Sequence, residues 1–264
     1  MCVHFEKYIC PLLRAFFLIY VLLGCSSIKI ALYGEKQIIV QEKIPKDFNK
    51  DYSNHLMNLE KSLRNNPKIG YKKVSSRGKR YLREIFLRIQ ANNELLISKG
   101  IPNFIFINDR TPYIFSLPGF KIFISTGLLR RYLKNESLLI SALVYHFIKS
   151  SRNLYPKKLV IPTGVIEIPE ILSLTRLPLS KKVEIYKWSY FALKRAEYDG
   201  SSILNWIQTQ NKNTLDFSWL TGDTRGASRE EFLFKSFLVS QGIDNTSFNE
   251  RNSSTGFYYL RDTM

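Results

Sequence analysis

Three side chains that could do chemistry lie within one short apolar stretch: Tyr145, His146 and Lys149. The four-residue step from Tyr145 to Lys149 places both side chains on one face of a helix, and His146 borders that face. A lysine that is held away from water can act as a base, and a histidine can transfer protons. No serine stands in a known catalytic pattern beside them, so a reaction built on these residues rests on residue types alone.

Residue types that bind transition metals are scarce. The chain has three histidines and three cysteines, and two of the cysteines fall within residues 1–24. Beyond that stretch only His55, His146 and Cys25 remain. A catalytic zinc ion takes three protein ligands, mostly histidine, cysteine or carboxylate side chains. His55 would have to be recruited from a distant polar helix, so we expect neither a metal nor another cofactor.

Residues 1–24 have the pattern of a lipoprotein signal peptide. A weakly basic start is followed by an uninterrupted apolar run over 15–23, which is too short to span a bilayer and has the length of a secretory core segment. The run ends in Leu22-Leu23-Gly24-Cys25, which looks like a bacterial lipobox. We therefore expect cleavage before Cys25 and acylation of that cysteine. An uncleaved anchor and an ordinary signal peptide are the alternatives.

Lipidation would hold the protein at the cell envelope, with the membrane as a partner. Ser26-Ser27 follows the cysteine without an aspartate, which in Gram-negative bacteria implies sorting to the periplasmic face of the outer membrane. Residues 25–51 mix short apolar runs with charged side chains and Pro45. We interpret them as a lipidated tether that precedes a single folded domain over 52–264.

The net charge of +17 is the strongest compositional bias. It is compatible with nucleic acid, an anionic membrane surface or an acidic partner. Lysine and arginine are spread along the whole chain without a nucleic-acid-binding motif, so nucleic acid is not expected as a partner. The apolar content of 45 % and the aromatic content of 14 % indicate one folded core.

Hydrophobic periodicity predicts a mainly helical α+β domain. Helical spacing is found over 52–65, from Ser75 or Ser76 to Gly100, over 136–150, and from Ser180 past Ala192 toward Trp206, with short helices in about the last 45 residues. A buried strand is expected over 104–108, and the segments 113–117 and 121–125 flank Pro118-Gly119 as a hairpin.

Two blocks around this hairpin carry a family resemblance. The matching residues are Pro112-Tyr-Ile-Phe-Ser-Leu-Pro-Gly119, followed by Lys121-Ile-Phe-Ile-Ser-Thr-Gly-Leu-Leu129 and then by Asn135-Glu136. They resemble the HtpX-like and BepA-like membrane-associated zinc endopeptidases. The order of elements is similar from about 70 to 210. The resemblance implies a zincin-like metallopeptidase fold in which a small sheet lies beside the active-site helix.

The resemblance also locates the family's zinc motif, and here it is replaced. Members carry His-Glu-x-x-His on the helix after Asn-Glu, where two histidines bind zinc and the glutamate is the base. Counting without a gap, the first ligand position is Tyr145, the base position is His146 and the second ligand position is Lys149. A shift by one residue would make His146 a ligand but would place Phe147 and Ser150 at the other two positions.

The third ligand of the family is a glutamate on a later helix, and the best match is Arg195-Ala-Glu-Tyr-Asp199. Asp199 agrees with the pattern, whereas Arg195 stands at the ligand position and has no lone pair to offer a metal. We expect the helix pair that zinc joins in the family to bring Lys149 and Arg195 together with carboxylates beside them. The chain is expected not to hydrolyse peptides.

Relatives bind substrate as an added strand along the sheet edge beside the active-site helix, a mode that does not need the metal. The resemblance therefore implies that a peptide or an envelope protein binds along the hairpin. The candidate contacts are Phe115, Ser116, Leu117, Gly119 and Phe123. Two alternatives remain: an active peptidase with a rebuilt site, and a structural basic lipoprotein that binds anionic lipid or cell-wall polymer.

Overall fold

The computed structural model describes residues 39–40, 48–96, 100–156, 159–160, 165–222, 224–242 and 253–264. The predicted leader, Cys25 and most of the predicted tether lie outside these residues. Strands β1 (Ile39–Val40) and β6 (Leu159–Val160) pair antiparallel with each other and belong to a small separate unit. All other described residues belong to the larger unit, which contains every predicted site residue except Cys25.

Helices dominate the larger unit. They are α1 (Phe48–Arg64), α2 (Ser76–Ala91), α3 (Thr126–Arg131), α4 (Glu136–Ser151), α5 (Ile168–Thr175), α6 (Leu179–Arg195), α7 (Ser202–Lys212), α8 (Ser218–Thr221), α9 (Thr224–Ser240) and α10 (Thr255–Thr263). The strands are β2 (Tyr71–Lys72), β3 (Asn103–Ile107), β4 (Ile114–Leu117) and β5 (Lys121–Ser125). Of the described residues 62 % are helical, and the larger unit also has a four-stranded mixed sheet, so the predicted α+β, mainly helical class is confirmed.

The sheet has the order β2-β3-β5-β4, in which β3 and β5 are parallel and the other neighbours are antiparallel. The predicted hairpin is present as β4 and β5, with Gly119 in its turn at a φ of +79°. Phe115 lies opposite Phe123, and their rings stack with centroids 4.7 Å apart. This aromatic pair fixes the register of the hairpin.

Helix α4 is the centre of the core. Every residue from Leu138 to Ser151 is buried, and α6, α7 and β4 pack against the helix. A helix that is apolar on all sides is stable only in such surroundings. Asn135 begins it, because its side chain accepts a hydrogen bond from the amide of Leu138. Of the helices described, none combines the length and the apolar composition that crossing a bilayer requires.

Three helix ends lie at other residues than the hydrophobic periodicity predicts. Helix α1 begins at Phe48 rather than Tyr52, since no breaker stands between them. Helix α2 ends at Ala91 instead of Gly100, because the side chain of Asn93 donates to the carbonyl groups of Ile89 and Ala192.

Helix α6 likewise ends at Arg195 instead of running toward Trp206. Glu197 adopts a φ of 59°, which a continuing helix does not allow. Gly200 then packs closely on the ring of Tyr190, since an added Cβ would lie 2.7 Å from it.

Helix α3 is fixed to the loop before β4 by a glycine. The amide of Gly127 donates to the carbonyl oxygen of Asp109 at 2.7 Å. A Cβ at this position would lie 2.1 Å from the carbonyl oxygen of Arg110. Ser125 completes the junction, since its Oγ accepts from the amides of Leu128 and Tyr113. Backbone atoms therefore meet here without room for a side chain.

We predict that Gly127→Ala destabilises the protein, because the new methyl group must displace backbone atoms. Overlap of this kind costs about 3 kcal/mol, which lowers the melting temperature by roughly 6–12 °C in a domain of this size. Thermal denaturation followed by circular dichroism measures the loss.

Gly226→Ala is the matched control, since Gly226 lies in α9 and no atom lies within 4 Å of the position of its added Cβ. That substitution should stabilise the protein by up to about 1 kcal/mol, through the higher helix propensity of alanine. Equal melting temperatures for the two variants would contradict the contact between α3 and the loop.

Candidate functional site

Helix α4 carries the three candidate residues into the core. The exposed fractions of Tyr145, His146 and Lys149 are 9 %, 4 % and 3 %. All three line one pocket where α4 faces β4, α5, α6 and α7, which we call the α4 pocket. Its volume is about 50 Å³, which admits a few water-sized groups. Its other polar lining residues are Thr175, Arg176, Lys182, Tyr186 and Gln210.

His146 is held by a serine from the hairpin. Its Nδ1 shares a hydrogen bond of 3.1 Å with Oγ of Ser116, which lies in β4 and is fully buried. Burial, and secondly the charge of Lys149, lowers the pKa of His146 well below its usual value, so the ring is neutral at physiological pH. A nucleophile has to reach its substrate, and Ser116 has no exposed surface. We therefore interpret the contact as structural.

Lys149 places an ammonium group in the core, and no carboxylate of the described residues pairs with it. Its Nζ donates to the carbonyl oxygen of Thr175 at 2.6 Å and lies 5.2 Å from the centre of the Tyr155 ring. Burial is the main cause that lowers the pKa of Lys149 to about 7, and repulsion from Lys182 adds to it. The side chain therefore changes charge near neutral pH.

Helix α6 faces α4 across the pocket with Lys182 and Tyr186. Nζ of Lys182 forms an ion pair of 2.7 Å with Glu230 of α9, and both side chains are largely buried. The rings of Tyr145 and Tyr186 lie 5.0 Å apart. Burial, and secondly the charge of Glu230, raises the pKa of Tyr145, so its phenol keeps its proton.

The lining residues do not fit zinc. Among the described residues around the α4 pocket, His146 is the only histidine, cysteine or carboxylate side chain. Across the whole described part of the chain, no three such side chains lie together in a way that could hold a metal ion. The Lys149 ammonium and the protonated Tyr145 hydroxyl offer hydrogen-bond donors where a metal needs lone pairs. We therefore derive no chemistry from a bound metal.

Arg195 and Asp199 lie away from this pocket. Arg195 follows Tyr186 by two and a half helical turns, about 13 Å along the axis. It is exposed, lines a separate groove with Trp188 and donates to Oδ1 of Asn93 at 3.3 Å. Asp199 is exposed and accepts hydrogen bonds from the amide and hydroxyl of Ser201.

The expectation that Lys149 and Arg195 meet is therefore wrong. The ring contact between Tyr145 and Tyr186 sets which part of α6 faces the pocket. Lys182, one helical turn before Tyr186, lines that pocket together with Lys149. Lys149 therefore shares the pocket with a second lysine, which repels it, and not with Arg195.

The residues proposed to contact a peptide are mostly core residues. Phe115, Ser116, Leu117 and Phe123 are buried, and only Gly119 in the turn is exposed. Strand β4 is at an edge of the sheet, but α1, α4 and α5 pack against it. The side chains that were expected to contact a peptide are therefore engaged in core packing, apart from Gly119 in the turn.

Several residues of the site were missed from the sequence. Lys182, Thr175 and Glu230 carry or balance charge in the pocket, yet they stand in no motif. Their separations from Lys149 along the chain are large, and no local pattern signals a contact of that kind. Ser116 was selected for the hairpin and not as the partner of His146.

No family model matches the chain, and no curated protein matches it significantly.

We predict that the free energy of unfolding rises with pH above 7 because of Lys149. An unfolded lysine titrates near pH 10.4, roughly three units above Lys149 in the folded protein. Between about pH 7 and pH 10 the unfolded chain binds a proton that the folded protein does not, so the stability rises by up to about 1.4 kcal/mol per pH unit. Urea denaturation at several pH values measures this slope.

Lys149→Met should remove that part of the slope, because methionine fills a similar volume without a titrating group. Lys194→Met is the matched control, since Lys194 is an exposed lysine of α6. That variant should keep the slope of the natural protein. Identical slopes for all three proteins would show that Lys149 does not lose its charge in the core.

Proposed function

We propose that this protein is a membrane-anchored lipoprotein whose folded domain resembles a zinc metalloendopeptidase but does not hydrolyse peptides, and which acts by binding. One observation carries the proposal. The position that matches the family's second histidine ligand holds Lys149, and its ammonium group donates to the carbonyl oxygen of Thr175 inside the pocket. In the alignment that the resemblance implies, a cationic side chain stands at the position of a zinc ligand, where its charge would oppose a metal ion.

The chemistry of the other two matching positions supports the same proposal. Tyr145 keeps its proton, and His146 is turned to Ser116. Hydrolysis in the family needs a metal-bound water and a carboxylate base that can reach it. Neither a glutamate nor an aspartate lines the described part of the α4 pocket. The client that we propose is a protein or peptide of the cell envelope.

An active peptidase with altered chemistry is less well supported. It would use the hydrogen bond between Ser116 and His146, with Lys149 as a further base. All three residues line or adjoin the pocket, but the serine hydroxyl is enclosed by protein atoms. A hydrolase requires that hydroxyl to contact the substrate carbonyl. The geometry therefore favours binding over catalysis.

We predict that the purified protein holds no stoichiometric zinc and does not cleave casein in a chelator-sensitive way. Elemental analysis and a digestion assay with and without chelator measure both. Stoichiometric zinc or chelator-sensitive cleavage would overturn the proposal.

Two engineered variants test which residue of α6 faces the former zinc positions. Both carry Tyr145→His, His146→Glu and Lys149→His, and they add either Tyr186→Glu or Arg195→Glu. We expect zinc binding only with Tyr186→Glu, because Tyr186 lies against Tyr145 whereas Arg195 lies in another groove. Zinc in the Arg195→Glu variant alone would contradict this arrangement of α4 and α6. Circular dichroism checks that each variant is folded.

A second candidate function, binding to anionic lipid or polymer, is supported by the outer face of α2. The exposed cations of this helix are Arg77, Lys79, Arg80, Arg83 and Arg88. Within the described residues, Arg88 alone among them forms an ion pair, with Glu197 at 3.3 Å. Each cation near an anionic membrane contributes about 1 kcal/mol of attraction. This face would strengthen attachment through the acyl chain.

The attachment is tested through Cys25. We predict that the protein labels with palmitate in a bacterial host and partitions into detergent, and that Cys25→Ser abolishes labelling and leaves the precursor unprocessed. Continued labelling of that variant would show that the lipobox interpretation is wrong.

The mature chain with Cys25→Ser then separates the lipid from the basic face. If α2 binds anionic lipid, this protein associates with anionic vesicles at low salt and is released at high salt. Arg80→Gln with Arg83→Gln should weaken the association, while Arg88→Gln should have a smaller effect. Equal binding to neutral vesicles would exclude the second candidate function.

A further inference from the structure

We propose that the α4 pocket binds a small organic carboxylate, with Lys149 and Lys182 holding the oxyanion and a short apolar substituent against the hydrophobic wall. The inference rests on the proposed function, because that proposal matches this pocket to the zinc site of the metalloendopeptidases, and the inference assigns the pocket another ligand.

The charges around the pocket are unbalanced. Lys149, Arg176 and Lys182 line it, whereas none of its described lining residues is a carboxylate, and Glu230 pairs with Lys182 alone. Arg176 is turned to the carbonyl oxygens of Trp219 and Leu220. Lys149 has no carboxylate partner within the described residues. An unbalanced buried cation costs several kcal/mol, and an anion beside it removes much of that cost.

Hydrogen-bond donors remain for such an anion. An ammonium group has three N–H donors, and Lys149 gives one of them to Thr175. Lys149 and Lys182 both line this small pocket, and repulsion between them adds to the lowering of the pKa of Lys149. The Tyr145 hydroxyl, which keeps its proton, lines the same pocket as a further donor. Ammonium and phenol donors that line one small pocket suit the two oxygens of a carboxylate.

The remaining wall suits an apolar substituent. It is formed by Ile114, Phe115, Leu172, Leu177, Trp206 and Leu220. A volume of about 50 Å³ admits about four water-sized groups, which is enough for a carboxylate with one methyl group but not for a large ring system. Two sources provide this chemistry: a free short-chain monocarboxylate, and the C-terminal carboxylate of a peptide that ends in a small apolar residue.

The experiment compares charged ligands with neutral isosteres on the full chain. Acetate is titrated against acetamide, and the peptide Gly-Gly-Ala is titrated against its C-terminal amide, with binding followed by calorimetry. We expect binding of a carboxylate and at least a tenfold weaker affinity for the matching amide. Binding of acetate but not of the peptide identifies a free acid as the ligand, and the reverse identifies a peptide terminus.

Variants connect the binding to the pocket. Lys149→Met should reduce the affinity at least tenfold, and Lys194→Met should leave it unchanged. Tyr145→Phe provides a milder test, because it removes one donor and keeps the ring contact with Tyr186. We expect a measurable loss in that variant even if Lys149→Met does not fold.

Two results would overturn the inference. The first is that, in a protein that contains no zinc, neither carboxylate binds or the carboxylate and its amide bind equally. In that case the proposed function stands and only the ligand is wrong. The second is that carboxylate binding disappears when a chelator removes zinc from the natural protein. That result would refute the proposed function as well, because the carboxylate would have been bound to the metal.

Discussion

The complete burial of helix α4 is the constraint on which the rest of this structure depends. A helix that is enclosed on all sides leaves no polar side chain free to reach water. His146 therefore bonds to Ser116 of the hairpin, and Lys149 bonds to the carbonyl oxygen of Thr175 at the end of α5. These bonds join α4 to the sheet on one side and to α5 on the other. The polar residues of the site are thus also the contacts that assemble the fold around it.

The same burial determines the electrostatics of the pocket. In a medium of low polarity an ammonium group keeps its proton only with difficulty, and a second lysine nearby makes this harder still. Glu230 compensates Lys182 and leaves Lys149 without an opposite charge among the described residues. The polar side chains that line the pocket are mainly hydrogen-bond donors, and three of them are basic. Coulomb attraction in this pocket therefore favours an anion over a cation.

The sequence predicts local features of this fold well and long-range ones poorly. The class, the hairpin and the buried helix follow from periods of two and of 3.6 residues and from turn residues such as Gly119. The ends of α2 and α6 do not, because a side chain of Asn93 and the backbone conformation of Glu197 terminate them. Arg195 was assigned to the site through a motif position, yet the contact between facing helices places Lys182 there. Periodicity shows which face of a helix is apolar but not which residues of two helices lie opposite each other.

The residues that carry the family resemblance are, in this structure, residues that hold the fold. Phe115 and Phe123 stack across the hairpin, Gly119 adopts a turn conformation, and Gly127 admits the carbonyl of Arg110. Each of these roles is needed whether or not the protein catalyses a reaction. These residues therefore bear on the architecture and leave the activity open. The activity has to be inferred from the pocket beside α4, which is lined by hydrogen-bond donors and positive charge, and that lining suits a protein that binds an anion.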